Sequence, residues 1–210
     1  MRKSALLYRI VLLFIVLGAI VYQLIPFFKG SPEFNLGNHF SLYTTQSNCS
    51  VLLVYILILI NEKFTVIRGA SLVYTLIATF GFWVLLGGLQ GYPDSVSKII
   101  ACIRHGGSSL LVLIDIILFP NNHKLEFKSI GVWMSYPALF LVYSYIRFQF
   151  VHWIPYSFLD PTRVSSPLML FVNICMLLLI GVAFTVGVIA LERRLINTSR
   201  QQDGGQASSI

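Results

Sequence analysis

Residues 168–191 read LMLFVNICMLLLIGVAFTVGVIAL, 24 consecutive positions without a charged side chain. About 20 apolar residues are what an α-helix needs to cross the hydrocarbon core of a bilayer. Five further stretches qualify, at 6–27, 40–60, 69–89, 99–119 and 130–146. Backbone polar groups in lipid must be satisfied within their own segment, so each stretch is expected to be a helix. Strands of a membrane barrel would alternate in character over about 10 residues, and these runs do not. The sequence therefore reads as all-α, a polytopic membrane bundle of six transmembrane helices.

Composition leads to the same class. The 210 residues are 56% hydrophobic and 11% charged, with a mean hydropathy of +0.78, more apolar side chain than a soluble domain can cover. The N-terminal stretch carries Arg2 and Lys3 like a signal peptide. It is too apolar for too long, however, and Gln23-Leu24-Ile25-Pro26 has no small-residue cleavage site. It reads as a retained first helix.

The net charge of +7 is a topology signal. With the N-terminus in the cytoplasm, ten Lys and Arg fall on that side: Arg2, Lys3, Arg9, Lys63, Arg68, Lys124, Lys128, Arg193, Arg194 and Arg200. Five fall on the other: Lys29, Lys98, Arg104, Arg147 and Arg163. Ten against five obeys the positive-inside rule with both termini cytoplasmic. No continuous basic patch is present, so nucleic acid is not an expected partner. Residues 1–200 form one expected domain, and the polar tail 201–210, QQDGGQASSI, is expected to be disordered.

Polar residues in such a chain stand out, because charged groups are costly at membrane depth and usually face a bundle interior or a wet cavity. Thr44, Thr45, Gln46 and Asn48 open the second span, and Arg104 and His105 lie early in the fourth. Both spans enter from the outer face, so Thr44 lies about one turn and His105 about two turns below it. The fifth span brings Tyr143, Ser144 and Arg147 to that level, the sixth brings Asn173, and the loop 152–161 lies above. A threonine hydroxyl becomes a nucleophile when a base takes its proton, and an imidazole suits that role. Tyr, Ser or Asn side chains, or main-chain N–H groups near Gly106-Gly107, are the expected oxyanion donors.

Other groups carry less. Asp115 lies ten residues beyond His105, about 15 Å along the helix, too far to orient that imidazole. It is expected to pair inside the bundle or face a wet inner cavity. His39, His123 and His152 fall in loops, with His123 on the wrong side for a shared site. Cys49, Cys102 and Cys175 fall in spans with no metal-ligand spacing. Neither a metal nor an organic cofactor is expected. Pro137 is expected to kink the fifth helix, and Gly87, Gly88 and Gly91 read as packing or end signals.

Four blocks occur in a telling order. They are Phe40-Ser41-Leu42-Tyr43-Thr44-Thr45-Gln46-Ser47-Asn48, His105 followed at ten residues by Asp115, Tyr136-Pro137 leading to Tyr143-Ser144-Tyr145-Ile146-Arg147, and the run Trp153 to Pro161 (WIPYSFLDP). This pattern resembles a family of small bacterial six-helix membrane proteins related to the animal androgen-induced membrane proteins. The animal members are intramembrane threonine hydrolases of fatty acid esters of hydroxy fatty acids. The resemblance implies Thr44 as nucleophile and His105 as its acid/base partner, with Thr45 taking Thr44's place under a one-residue slip. Two features depart from the pattern. Ser109-Leu110 stands where the animal pattern has a proline, and Ser157 stands where the proline of Tyr-Pro-Phe-Leu is usual.

The expected function is thus hydrolysis of a lipid carboxylic ester, with a membrane lipid or fatty-acyl ester as substrate and the bacterial inner membrane as its place. Thr45, Gln46, Asn48, Tyr143, Arg147 and Asp160 are the expected substrate-binding residues, and Arg147 suits a carboxylate. The alternative is a non-catalytic lipid-binding or small-solute transport protein using the same polar layer.

Overall fold

The computed structural model describes residues 2–121 and 126–207, with side chains to residue 198. His123 and Lys124, the side chain of Arg200 and the last three residues of the polar tail lie outside the described residues.

Six helices are long and apolar enough to cross a membrane. They are α1 (Lys3–Gln23), α2 (Tyr43–Ile60), α3 (Glu62–Leu85), α4 (Ser95–Leu118) and α5 (Ser129–Val151), with α6 running over Pro167–Ala207. The chain is an all-α integral membrane bundle. Successive helices run in opposite directions, so one end of the bundle holds the beginning of α1 and the end of α6. This is termed the terminal end, and the other is termed the loop end. The α6 backbone continues helically to Ala207, through the part of the tail whose composition predicts disorder.

Several boundaries differ from the hydropathy runs, for local chemical reasons. The first run breaks at Leu24, before a short helix Ile25–Phe28 with Pro26 in its first turn, where a proline costs no hydrogen bond. The fourth helix starts earlier than its apolar run because Asp94 caps it, accepting hydrogen bonds from the N–H and the hydroxyl of Ser97. The third ends at Leu85, where Gly87 and Gly88 turn the chain with φ of +78° and +64°, a conformation glycine adopts without a steric cost. Those glycines are end signals. The fifth helix continues through Pro137 to Val151 and closes at His152 with φ +49°.

Helix α3 is central, packing against α2, α4, α5 and α6, while α1 closes against α2 and α4. Leu12, Val51, Tyr55, Leu72, Val112, Ile116 and Ile189 fill the interior and are essentially inaccessible. At membrane depth this core gains little from the hydrophobic effect, since lipid tails are as apolar as leucine; packing and polar contacts hold the helices.

The strongest polar contact is near the terminal end. Asp115 of α4 accepts from Arg9 Nε of α1 at 2.9 Å and from Arg68 Nη1 of α3 at 2.8 Å. The Tyr55 hydroxyl of α2 donates to the same carboxylate at 3.2 Å. Asp115 and Arg68 are both 0% exposed, so four helices meet on one desolvated carboxylate. Of the two settings the sequence leaves open for Asp115, pairing inside the bundle is the one found. Beside it, Asn121 donates to Glu192 Oε2 of α6 at 2.9 Å and to the Thr65 carbonyl at 3.0 Å.

Removing one partner of a buried ion pair strands the other charge. Asp115→Asn is therefore expected to destabilise the bundle by about 3–5 kcal/mol, measured by unfolding in mixed micelles. Close approach of α3 and α6 gives a second expectation. A Cβ at Gly69 would lie 2.5 Å from the Trp133 ring and 2.8 Å from Glu192 Oε1, whereas one at Gly18 meets nothing within 4 Å. Thermal melts of Gly69→Ala should show clear destabilisation and those of Gly18→Ala almost none.

Candidate functional site

Near the loop end, two of the helices change their winding. Gly81–Leu85 of α3 and Ile103–Gly107 of α4 are both π-helical, a form that appears mostly as short bulges and often at functional sites. A π-turn widens the helix and loosens its carbonyl ladder, and side chains take up the loosened acceptors here. Asn48 Nδ2 donates to the Arg104 carbonyl at 3.0 Å, and Trp83 Nε1 donates to the His105 carbonyl at 3.2 Å. The Phe82 ring stacks on the His105 imidazole, with centroids 3.8 Å apart and planes 9° from parallel. The two π-segments thus fix His105 from one face and from its own backbone.

Across from them lies the start of α2. Thr44 Oγ1 stands 3.4 Å from His105 Nδ1, and both side chains are buried. Asn48, one turn along α2, also donates to the Thr44 carbonyl at 2.8 Å. The same amide nitrogen therefore ties the Thr44 backbone to the Arg104 backbone and sets the spacing of the pair. Thr45 Oγ1 accepts from Arg104 Nη2 at 3.1 Å. Thr44 and Thr45 are both in the layer, and the imidazole faces Thr44.

Thr44 opens onto an apolar cleft, about 570 Å³ of empty space when the open region at its mouth is included, walled by Tyr43, Phe82, Pro137, Phe140, Tyr156 and Leu177, among others. Burial raises the Tyr156 phenol above its ordinary value, while the Thr44 hydroxyl and the N–H groups of Tyr43 and Thr44 face its oxygen and pull the other way. Those amides belong to the first turn of α2, whose N-cap residue Leu42 has no capping side chain, and the Tyr156 oxygen stands in its place. The main-chain groups near Gly106-Gly107 lie inside a continuous helix, so their amides are committed to its ladder. The donors beside Thr44 are the first-turn amides of α2 and the Tyr156 hydroxyl.

The remaining sequence-derived residues are spread more widely. Gln46 donates to the Phe40 carbonyl at 2.9 Å and accepts from the Tyr136 hydroxyl at 3.1 Å, which braces the start of α2 against α5. The Tyr143 hydroxyl shares a hydrogen bond with Ser41 Oγ at 2.7 Å, and its residue is 41% exposed. Arg147 donates to Asn38 Oδ1 at 2.6 Å and lies over the Trp153 ring. Asp160 accepts from the Thr162 N–H and hydroxyl and pairs with Arg163 at 3.3 Å, so its carboxylate staples its own loop. Asn173 donates to the Phe158 carbonyl at 2.8 Å, pinning that loop to α6. None of these five touches the Thr44–His105 pair. Arg104, Phe82, Trp83 and Tyr156 do surround it; the adjacency of Arg104 to His105 and the loop 152–161 above the layer signalled two of them, and nothing in the sequence signalled Phe82 or Trp83. Among the described residues, no group of three His, Cys, Asp or Glu side chains is placed to share a metal ion.

Compared with known protein families, curated proteins and solved structures, the chain matches none.

His39, in the short helix Leu36–Phe40 before α2, provides a pH test of this layer. Burial, with the Arg104 charge adding to it, holds its imidazole down at about 4, from an ordinary 6.5. Between those values the unfolded chain binds a proton that the folded protein does not, so stability falls as pH is lowered through that window. Wild type should therefore lose more stability than His39→Gln between pH 6.5 and about 4, as read from thermal melts in detergent.

Proposed function

We propose that this protein hydrolyses lipid carboxylic esters within the membrane, with Thr44 as nucleophile and His105 as acid/base. The observation that carries the reading is the buried Thr44 Oγ1 to His105 Nδ1 separation of 3.4 Å at the wall of an apolar cleft. Such contacts are often long in ligand-free sites and tighten when substrate is bound. Neutral His105 takes the hydroxyl proton at Nδ1 as Oγ1 bonds to the ester carbonyl carbon. The tetrahedral oxygen takes hydrogen bonds from Tyr156 and the first-turn amides of α2. Collapse breaks the bond to the alcohol oxygen, which leaves with the proton from His105, and an acyl-threonine remains. Water then attacks that ester as His105 takes its proton, the bond from the carbonyl carbon to Thr44 Oγ1 breaks, Oγ1 receives the proton back from His105, and the carboxylic acid is released.

The cleft suits the acyl chain, because its walls are almost entirely apolar and a chain held there leaves its carbonyl beside Thr44. Asp115 has no part in the dyad; its oxygens are committed to Arg9 and Arg68. The sequence resemblance to the bacterial relatives of the androgen-induced membrane proteins selects the same two residues. On this reading both termini are cytoplasmic, the loop end faces outward, and the membrane is the bacterial inner membrane.

The test is covalent labelling of the purified protein with a long-chain fluorophosphonate, followed by mass mapping of the adduct. Wild type should be labelled on Thr44, and Thr44→Ala and His105→Ala should both lose the label while melting within a few degrees of wild type. An adduct on Thr45 moves the nucleophile by one residue. Absence of label on well-folded wild type removes the hydrolase reading and leaves a lipid-binding protein.

A further inference from the structure

We propose that Arg104 binds the anionic head of an amphiphile, a carboxylate or phosphate oxyanion on an alkyl chain. The inference goes beyond ester hydrolysis, since binding at Arg104 does not require Thr44 to react.

The starting point is a contrast among three buried guanidinium groups. Arg9, Arg68 and Arg104 are 3%, 0% and 4% exposed. The first two share Asp115. Arg104 has no carboxylate within ion-pair distance among the described residues, and its one side-chain hydrogen bond goes to the neutral hydroxyl of Thr45. Its Nε is fully buried without a partner, as are Arg68 Nε and Nη2, but Arg68 has the Asp115 carboxylate and Arg104 has none among the described residues. A buried cation without a counter-charge is strongly disfavoured, so the position calls for an acceptor that the chain does not supply.

The neighbourhood repeats that deficit. The side chains facing Arg104 electrostatically are His39, His105, Tyr92, Tyr156 and Cys49, none of which is a carboxylate. The first turn of α2, faced by no charged cap, adds the positive end of an 18-residue helix. Carboxylates elsewhere in the bundle are engaged, Asp94 with Ser97, Asp160 with Arg163 and Glu192 with Asn121. Guanidinium geometry favours oxyanions, which accept two parallel hydrogen bonds from its fork. The apolar cleft supplies the rest of the ligand's description. Arg104 lies behind the cleft wall and not in it. Tyr156 and Thr44 line the cleft. Tyr156 lies in the field of Arg104, and Thr45, next to Thr44, accepts from the Arg104 guanidinium. A head that reaches Arg104 past Tyr156 would therefore leave its alkyl chain in the cleft.

Arg147 is the other guanidinium of the loop end, and it is the less suited of the two. Its Nη1 is also buried without a partner, but it donates to the Asn38 side chain at 2.6 Å, lies over the Trp153 ring and is only half-buried, as suits a cation at a membrane interface.

The experiment is binding to the full chain in maltoside micelles, which contain no phosphate, with dodecanoate, dodecyl phosphate and uncharged dodecanol as probes. Ligand-dependent rise of the melting temperature and quenching of tryptophan fluorescence are read together. Wild type should bind at least one of the anions saturably and about 10- to 100-fold more tightly than dodecanol, the range for loss of a charge-assisted contact. Preference for dodecanoate identifies a fatty carboxylate as the ligand head, and preference for dodecyl phosphate identifies a phospholipid-type head. Arg104→Met should lose that advantage while melting no lower than wild type without ligand, because it removes an unpaired buried charge. Arg147→Met and Thr44→Ala should bind like wild type, the latter showing that the result is independent of acyl transfer. The proposal is overturned if wild type binds dodecanol as tightly as both anions, if Arg104→Met keeps the anion preference, or if Arg147→Met loses it. Should Arg104→Met fail to fold, the comparison of anions with dodecanol on wild type still decides.

Discussion

Two guanidinium groups, Arg9 and Arg68, share one carboxylate, Asp115, where none of the three could be buried alone. In water an ion pair contributes little, because both charges have an alternative partner in solvent. Within a bilayer that alternative is gone, and separating α1, α3 and α4 would expose unpaired charge to hydrocarbon. The clasp therefore acts mainly as a constraint on which helices are neighbours and at what depth. Tyr55 adds α2 to the same point. With the four helices fixed there, the starts of α2 and α4 meet at the loop end, where Thr44 faces His105.

That division separates two kinds of polar chemistry. Both ends leave single polar atoms unpartnered, Arg68 Nε and Nη2 and Glu192 Oε1 near the terminal end, His39 Nε2, the Tyr43 hydroxyl and Arg104 Nε toward the loop end. They differ in charge: near the terminal end the guanidinium groups of Arg9 and Arg68 have the Asp115 carboxylate, while the Arg104 guanidinium meets the neutral hydroxyl of Thr45. An interior that pairs its charges is built for stability, and one that leaves a cation without a counter-charge is suited to binding. The same contrast explains why Asp115 and His105, ten positions apart on one helix, serve different purposes.

Much of the architecture was legible from the apolar runs alone, since length and hydropathy answer directly to the thickness of a bilayer. The pairing of Thr44 with His105 was also legible, because two parallel spans entering from one face put residues near their starts at similar depth. Which polar side chains would converge was not. Gln46, Tyr143, Arg147 and Asp160 share that level, yet each finds a closer partner in a loop or a neighbouring helix. Depth is a one-dimensional coordinate, and it says nothing about rotation around the helix axis. Arg104 and the loop carrying Tyr156 were placed at this layer, but neither residue was given a part in the site. A basic residue near a span end also counts as an interfacial charge, and the sequence of a loop does not say which of its side chains turns inward. The π-segments at Gly81–Leu85 and Ile103–Gly107 leave no periodic signature in so uniformly apolar a sequence.

The π-turn in α4 also has a bearing on how this chain can vary. It lies between Ser95, at one mouth of the bundle, and Asp115, in the clasp near the other, and contains one more residue than an α-helical turn would. Each residue of an α-helix turns the chain by about 100°. A residue lost or gained between the π-turn and Asp115 would rotate the two sites against each other by about that angle, so that either His105 or Asp115 would swing away from its partners. Helix α4 is therefore far more permissive toward exchange of its lipid-facing side chains than toward insertion or deletion, and its length behaves as a fixed quantity of the fold.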